Sequence, residues 1–99
     1  MRAVRSIASG VAAVKALEMP QAARDTALKR IGLNIKLRRV ELGVKQEALS
    51  LDTGLSRSHL SRIEAGAVNM SVATLLVLAE HLDCGLSDLV AKVDDERHD

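Results

Sequence analysis

The chain has 99 residues, enough for one domain with a short extension. It contains no Phe, Trp or Tyr, so its core must be aliphatic and it offers no ring on which an unstacked base could lie, which argues against single-strand or RNA recognition. The net charge of +1 hides a gradient: residues 1–31 carry six bases against two acids, residues 32–62 six against three, and residues 63–99 two against eight. A basic front and an acidic rear orient a molecule toward a polyanion.

Several function classes drop out early. The single cysteine, Cys84, can form no internal disulfide and packs most simply as a small hydrophobe. His59, His81 and His98 are scattered, no carboxylate or cysteine grouping has metal-ligand spacing, and there is no glycine-rich phosphate loop. Neither catalysis nor a cofactor is expected. No stretch is long enough to cross a bilayer. The start, MRAVRSIASGVAAVKALEM, resembles a targeting peptide only faintly, and Lys15 argues against secretion. The expectation is a cytoplasmic protein with no membrane association.

In chain order, the spacing first predicts a helical arm over residues 1–20. Val4, Ile7, Val11 and Val14 recur at three- and four-residue intervals between residues 3 and 18. Met19-Pro20 ends it, and Pro20 suits the first turn of the next helix. A long helix follows from about Gln21 to Leu42, closed by Gly43. It carries two apolar stripes. Leu28, Ile31, Ile35 and Leu42 share a face with Arg39, while Leu33, Leu37 and Val40 lie roughly opposite. At about 100° per residue, Ile35 and Leu37 point about 200° apart. One stripe can enter a core; the other needs a cover.

Two short helices come next, from about Lys45 to Thr53 and from Ser56 to Ala65, meeting at Gly54 with Gly66 as the stop. Leu49 ends the first stripe, Leu60 and Ile63 begin the second, and Leu55-Ser56 places a buried residue before a helix cap. A tight turn between two such helices is a helix-turn-helix, and it pushes the start of the second outward. The outward positions there are Arg57, Ser58, His59, Ser61 and Arg62. All can donate hydrogen bonds and none is an acid, which suits phosphates and base edges.

Ser71 caps a fourth helix to about Leu82, with Val72, Leu75, Leu78, Ala79 and Leu82 on its buried side. Asp83-Cys84-Gly85 is a turn. Ser87 is expected to cap a short last helix carrying Leu89, Val90 and Val93. The compact domain is thus residues 21–93, and the acidic tail, residues 94–99, is expected to be disordered.

The segments IKLRRVELGVKQEALS, TGLSRSHLSRIEAG and SVATLLVLAEHLDCGLSDLV together resemble the Cro and phage-repressor type of helix-turn-helix, the XRE family. The likeness spans about residues 31–90. Arg39 precedes Gly43, Gln46-Glu47 opens the second helix, Gly54-Leu55-Ser56 makes the turn, Ile63-Glu64-x-Gly66 closes the third helix, and Leu86-Ser87-x-Leu89 opens the fifth. The resemblance implies an all-α, five-helix, lambda-repressor-like DNA-binding domain, here with an additional N-terminal helical arm. Met70 stands where the family often has Pro, Ala67 and Val68 replace frequent basic or polar residues, and Leu37 and Leu51 stand where charges are common.

The resemblance also assigns roles. Arg57, Ser58 and Arg62 match base-reading positions, and an arginine there can pair with guanine O6 and N7. His59 and Ser61 flank them. Gln46 matches a residue that bonds a phosphate and braces the recognition helix. Lys36, Lys45 and Asn69 suit phosphate contacts. Arg39 and Glu64 match a structural salt bridge. The implied partner is double-stranded DNA, bound by a homodimer acting as a regulator, more often a repressor. The alternative is an antitoxin or bridging protein whose arm, residues 3–18, binds a protein partner. The arm could equally cover Leu33, Leu37 and Val40, with Leu51 joining, within or across a dimer. The rival dimer surface is the C-terminal helix with Leu86, Leu89, Val90 and Val93.

Overall fold

The computed structural model describes residues 20–94. The expectations for the N-terminal arm with Val4, Ile7, Val11 and Val14, and for the acidic tail past Asp94, lie outside these residues. Five helices follow one another: α1 Gln21–Glu41, α2 Gln46–Thr53, α3 Arg57–Glu64, α4 Val72–His81 and α5 Leu86–Leu89. Among the described residues there is no strand, and no helix is long and apolar enough to cross a membrane.

Each start and stop has a local cause. Pro20 precedes α1 and its carbonyl accepts from the N–H groups of Ala23 and Arg24, both at 3.1 Å. Gly43 takes φ +72 and closes the helix. Ser56 and Ser71 cap α3 and α4, each hydroxyl accepting at 3.0 Å from the N–H three residues on, His59 and Thr74. The turn between α2 and α3 is held three ways. Gly54 sits at φ +80, where a Cβ would be strained. Ser50 Oγ donates to the Leu55 carbonyl. Thr53 Oγ1 donates to the Leu49 carbonyl at 2.8 Å and accepts from Leu55 N–H.

The core is aliphatic: Ile35 of α1, Leu49 of α2, Leu60 and Ile63 of α3, Leu75, Leu78 and Ala79 of α4, then Leu82 and Leu89. Ile31, Val44, Leu55, Val68, Met70, Cys84 and Leu86 pack against it half-buried. Burial holds the Cys84 thiol above its ordinary pKa, so it stays protonated. The rear of the domain hangs on α1 by hydrogen bonds to main chain. Arg38 Nε donates to the Leu82 carbonyl at 2.9 Å and Nη2 to that of Asp83 at 2.8 Å. Asn34 Nδ2 donates to the carbonyls of Leu89 and Ala91, both at 2.9 Å.

Four expectations need correction. Val72 is exposed, because α4 begins at that residue and its side chain falls before the first buried turn. Leu42 is exposed, because the helix ends at Glu41 and the chain turns away before the stripe's next position. Ser87 does not cap α5: Gly85 precedes the helix, and its N–H donates to Asp88 Oδ2 at 2.8 Å. The last helix stops at Leu89, so Val90 caps it and Val93 lies past it rather than on it. Of the proposed C-terminal dimer surface, Leu89 is fully used by the subunit's own core and Leu86 is half-used, leaving Val90 exposed. The outer stripe of α1 is bare: Leu33, Leu37 and Val40 are all exposed, as is Leu51 of α2.

Candidate nucleic-acid interface

The third helix, α3, has a buried back and an open front. At the back, Leu60 and Ile63 are wholly buried. Behind them Glu64 accepts three hydrogen bonds: from Arg39 Nε at 2.7 Å, Arg39 Nη2 at 3.0 Å and Gln46 Nε2 at 3.1 Å. Arg39 spends a third donor on the Val44 carbonyl at 2.9 Å, which holds the loop between α1 and α2. The structure thus brings Arg39, Gln46 and Glu64 into one network tying α1, α2 and α3. The Glu64 side chain keeps 4 % of its exposure and that of Arg39 keeps 12 %. The hydrogen bond to Glu64 raises the Arg39 pKa further, so the guanidinium stays charged. Gln46, half-buried, spends one amide hydrogen on this brace and keeps the other.

Two glycines let α1 and α3 approach this closely. A Cβ on Gly32 would overlap the Ile63 carbonyl oxygen and stand 2.6 Å from that of Glu64. A Cβ on Gly66 would meet the Lys29 backbone nitrogen at 2.7 Å, and Gly66 itself takes φ +71. Sequence reasoning missed Gly32. A glycine inside a long helical pattern is the signal that could have found it, since it costs helix stability and needs a reason.

At the front, Arg57, Ser58, Ser61 and Arg62 are exposed and His59 is half-buried. Arg57 Nη1 comes to 4.0 Å of Glu47 Oε2, a loose contact between two open side chains. Gln46 and exposed Lys45 flank the start of α2, and exposed Asn69 lies in the loop after α3. Lys36 stands exposed on α1. The front therefore presents guanidinium, hydroxyl and amide donors on a helix whose back is buried and hydrogen-bonded to α1 and α2. Such a surface is built for acceptors of fixed position.

A helix-turn-helix family model, HTH_3, matches residues 35–89. The chain belongs to that family. Its members are DNA-binding transcription regulators. The chain is 36% identical over 67 residues to an HTH-type transcriptional regulator, y4dJ, of Sinorhizobium fredii, covering 68% of this chain and 87% of the relative. Among solved structures it resembles the restriction-modification controller protein C.AhdI of Aeromonas hydrophila. The TM-score is 0.61 and the identity 34%, over 63% of this chain and 94% of that one. It also resembles an HTH_3 family transcriptional regulator of Vibrio cholerae, with a TM-score of 0.64 and 25% identity over 76% of this chain. That protein is longer, and the match spans 41% of it. All-helical architecture and family are thus settled together.

Proposed function

We propose that the protein is a sequence-specific regulator that binds double-stranded DNA as a homodimer, each copy laying α3 in the major groove of one half of an inverted repeat. Its simplest action is repression by occupying the operator. The reading rests on one observation: the back of α3 is tied to α1 and α2, while the exposed face of α3 itself carries four donor residues and no acid, the nearest acid being Glu47 of α2 at 4.0 Å from Arg57. Arg57, Ser58 and Arg62 read base edges, with arginine pairing to guanine O6 and N7. Gln46, Lys36, Lys45 and Asn69 hold phosphates, and His59 and Ser61 border the reading surface. Selecting bound duplexes from a random pool tests this. The expected product is a symmetric site with half-sites about 34 Å apart, centre to centre. A pool that gives no shared sequence overturns it.

The bare stripe of Leu33, Leu37 and Val40 supports a second reading. In it the protein is an antitoxin or bridging factor, and residues 3–18 engage a protein partner beside or over that stripe. Alternatively the arm covers the stripe within one subunit or across two. Sedimentation and melting of the chain with residues 1–19 removed separate these readings. Weaker self-association or lower stability supports a covering arm. No change in either, with loss of a defined heterologous complex, supports the partner.

A further inference from the structure

The family match begins at residue 35, yet α1 begins at Gln21. The leading half of α1 runs past the end of the recognition helix. The close approach of Gly66 to the backbone of Leu28 and Lys29 sets backbone on backbone, and so fixes where this half of α1 stands relative to the loop after α3. Between the two lies a groove of about 480 Å³. Arg24 and Lys29 line it from α1 and Asn69 from the loop, with Asp25 its only acid. All three donors are exposed, and neither cation has an ion-pair partner among the described residues. The loop has no cation of its own, since Ala67 and Val68 fill the positions before Asn69.

We propose that Arg24 and Lys29, facing Asn69 across this groove, clamp the sugar–phosphate backbone of duplex DNA beside the end of α3. The proposal rests on the reading in which α3 enters the major groove. A helix lodged there contacts bases with its leading turns, while its far end and the following loop come up against the backbone that walls the groove. At that place a helix-turn-helix domain needs donors for phosphate oxygens. Here the loop offers an amide alone, and the two missing charges come from α1. The clamp is blind to sequence: it fixes register and adds affinity through displaced counterions.

The test uses the full chain, the duplex selected from the random pool and a scrambled duplex of equal length, with affinity followed against KCl concentration. In the Arg24→Ala/Lys29→Ala variant, binding to both duplexes weakens by the same factor. The slope of log Kobs against log[KCl] becomes shallower by about 0.9 for each phosphate that is no longer neutralised. The Arg24→Lys/Lys29→Arg variant keeps the wild-type slope. Lys92→Ala, which removes an exposed cation beyond α5, leaves it unchanged. A wild-type slope in the double alanine variant overturns the clamp. So does an equal loss in Lys92→Ala, which would assign the effect to net charge. If the wild-type chain prefers no duplex and Arg62→Ala binds no more weakly than wild type, the groove-reading premise fails and the clamp falls with it.

Discussion

Two ion pairs sit at opposite ends of the same short helix, and only one of them anchors it. At the back of α3, Arg39 and Glu64 meet in a two-pronged contact almost sealed from water. At the front, Arg57 and Glu47 approach to 4.0 Å with both side chains about two-thirds exposed. The residue chemistry is the same. Solvent and geometry separate them: water and salt screen the front pair to near nothing, whereas the back pair is shielded from water and its remaining hydrogen-bonding groups are taken up by Val44 and Gln46. The back holds the helix in place, and the front leaves Arg57 free to exchange Glu47 for another acceptor.

The sharpest way to break this contrast is Glu64→Ala. It leaves the nearly buried Arg39 guanidinium with the Val44 carbonyl in place of a carboxylate and takes away the Gln46 brace, and thermal or urea unfolding is expected to show a loss of about 3–5 kcal/mol. Unchanged stability would remove the back of the helix as a fixed point. Gly66→Ala comes next, at about 1–3 kcal/mol, because it forces a side chain into φ +71 and against the Lys29 backbone. The same unfolding measurement reads it. At the front, Arg62→Ala should melt like wild type and lose about 1–3 kcal/mol of operator binding, with relaxed preference at one base pair per half-site. Loss of stability there would mean that the front also carries structure. The smallest effect is expected for Glu47→Ala: no measurable change in melting, and operator binding equal to or slightly tighter than wild type as Arg57 is released.

The helix order, the turn at Gly54 and the capping serines Ser56 and Ser71 are legible in the sequence because their signals are local: periodicity, one glycine, one hydroxyl. The network of Arg39, Gln46 and Glu64 needs more. Nothing in their spacing places residues on three helices at one point, and only the family likeness suggests two of them as a pair. The exposure of Leu42 is hidden because its stripe continues in sequence past the place where the helix stops, and that of Val72 because a residue of the first turn can stand on the apolar stripe and still fall short of the first buried turn. The capping of α5 by Gly85 and Asp88 is masked by Ser87, a better capping residue standing two positions too late. The groove of Arg24 and Lys29 is not visible in sequence at all, since it depends on how closely Gly66 lets two backbones meet.

The way α1 holds the back half of the domain has a consequence for how the protein can vary. Arg38 and Asn34 take hold of carbonyl oxygens at Leu82, Asp83, Leu89 and Ala91, not of side chains. Every amino acid brings the same carbonyl. The residue at exposed Ala91 is therefore free to drift between related proteins without loosening the grip, and the one at Asp83 only among residues that tolerate its φ of +52, whereas replacing Asn34 or Arg38 would be felt whatever stands opposite.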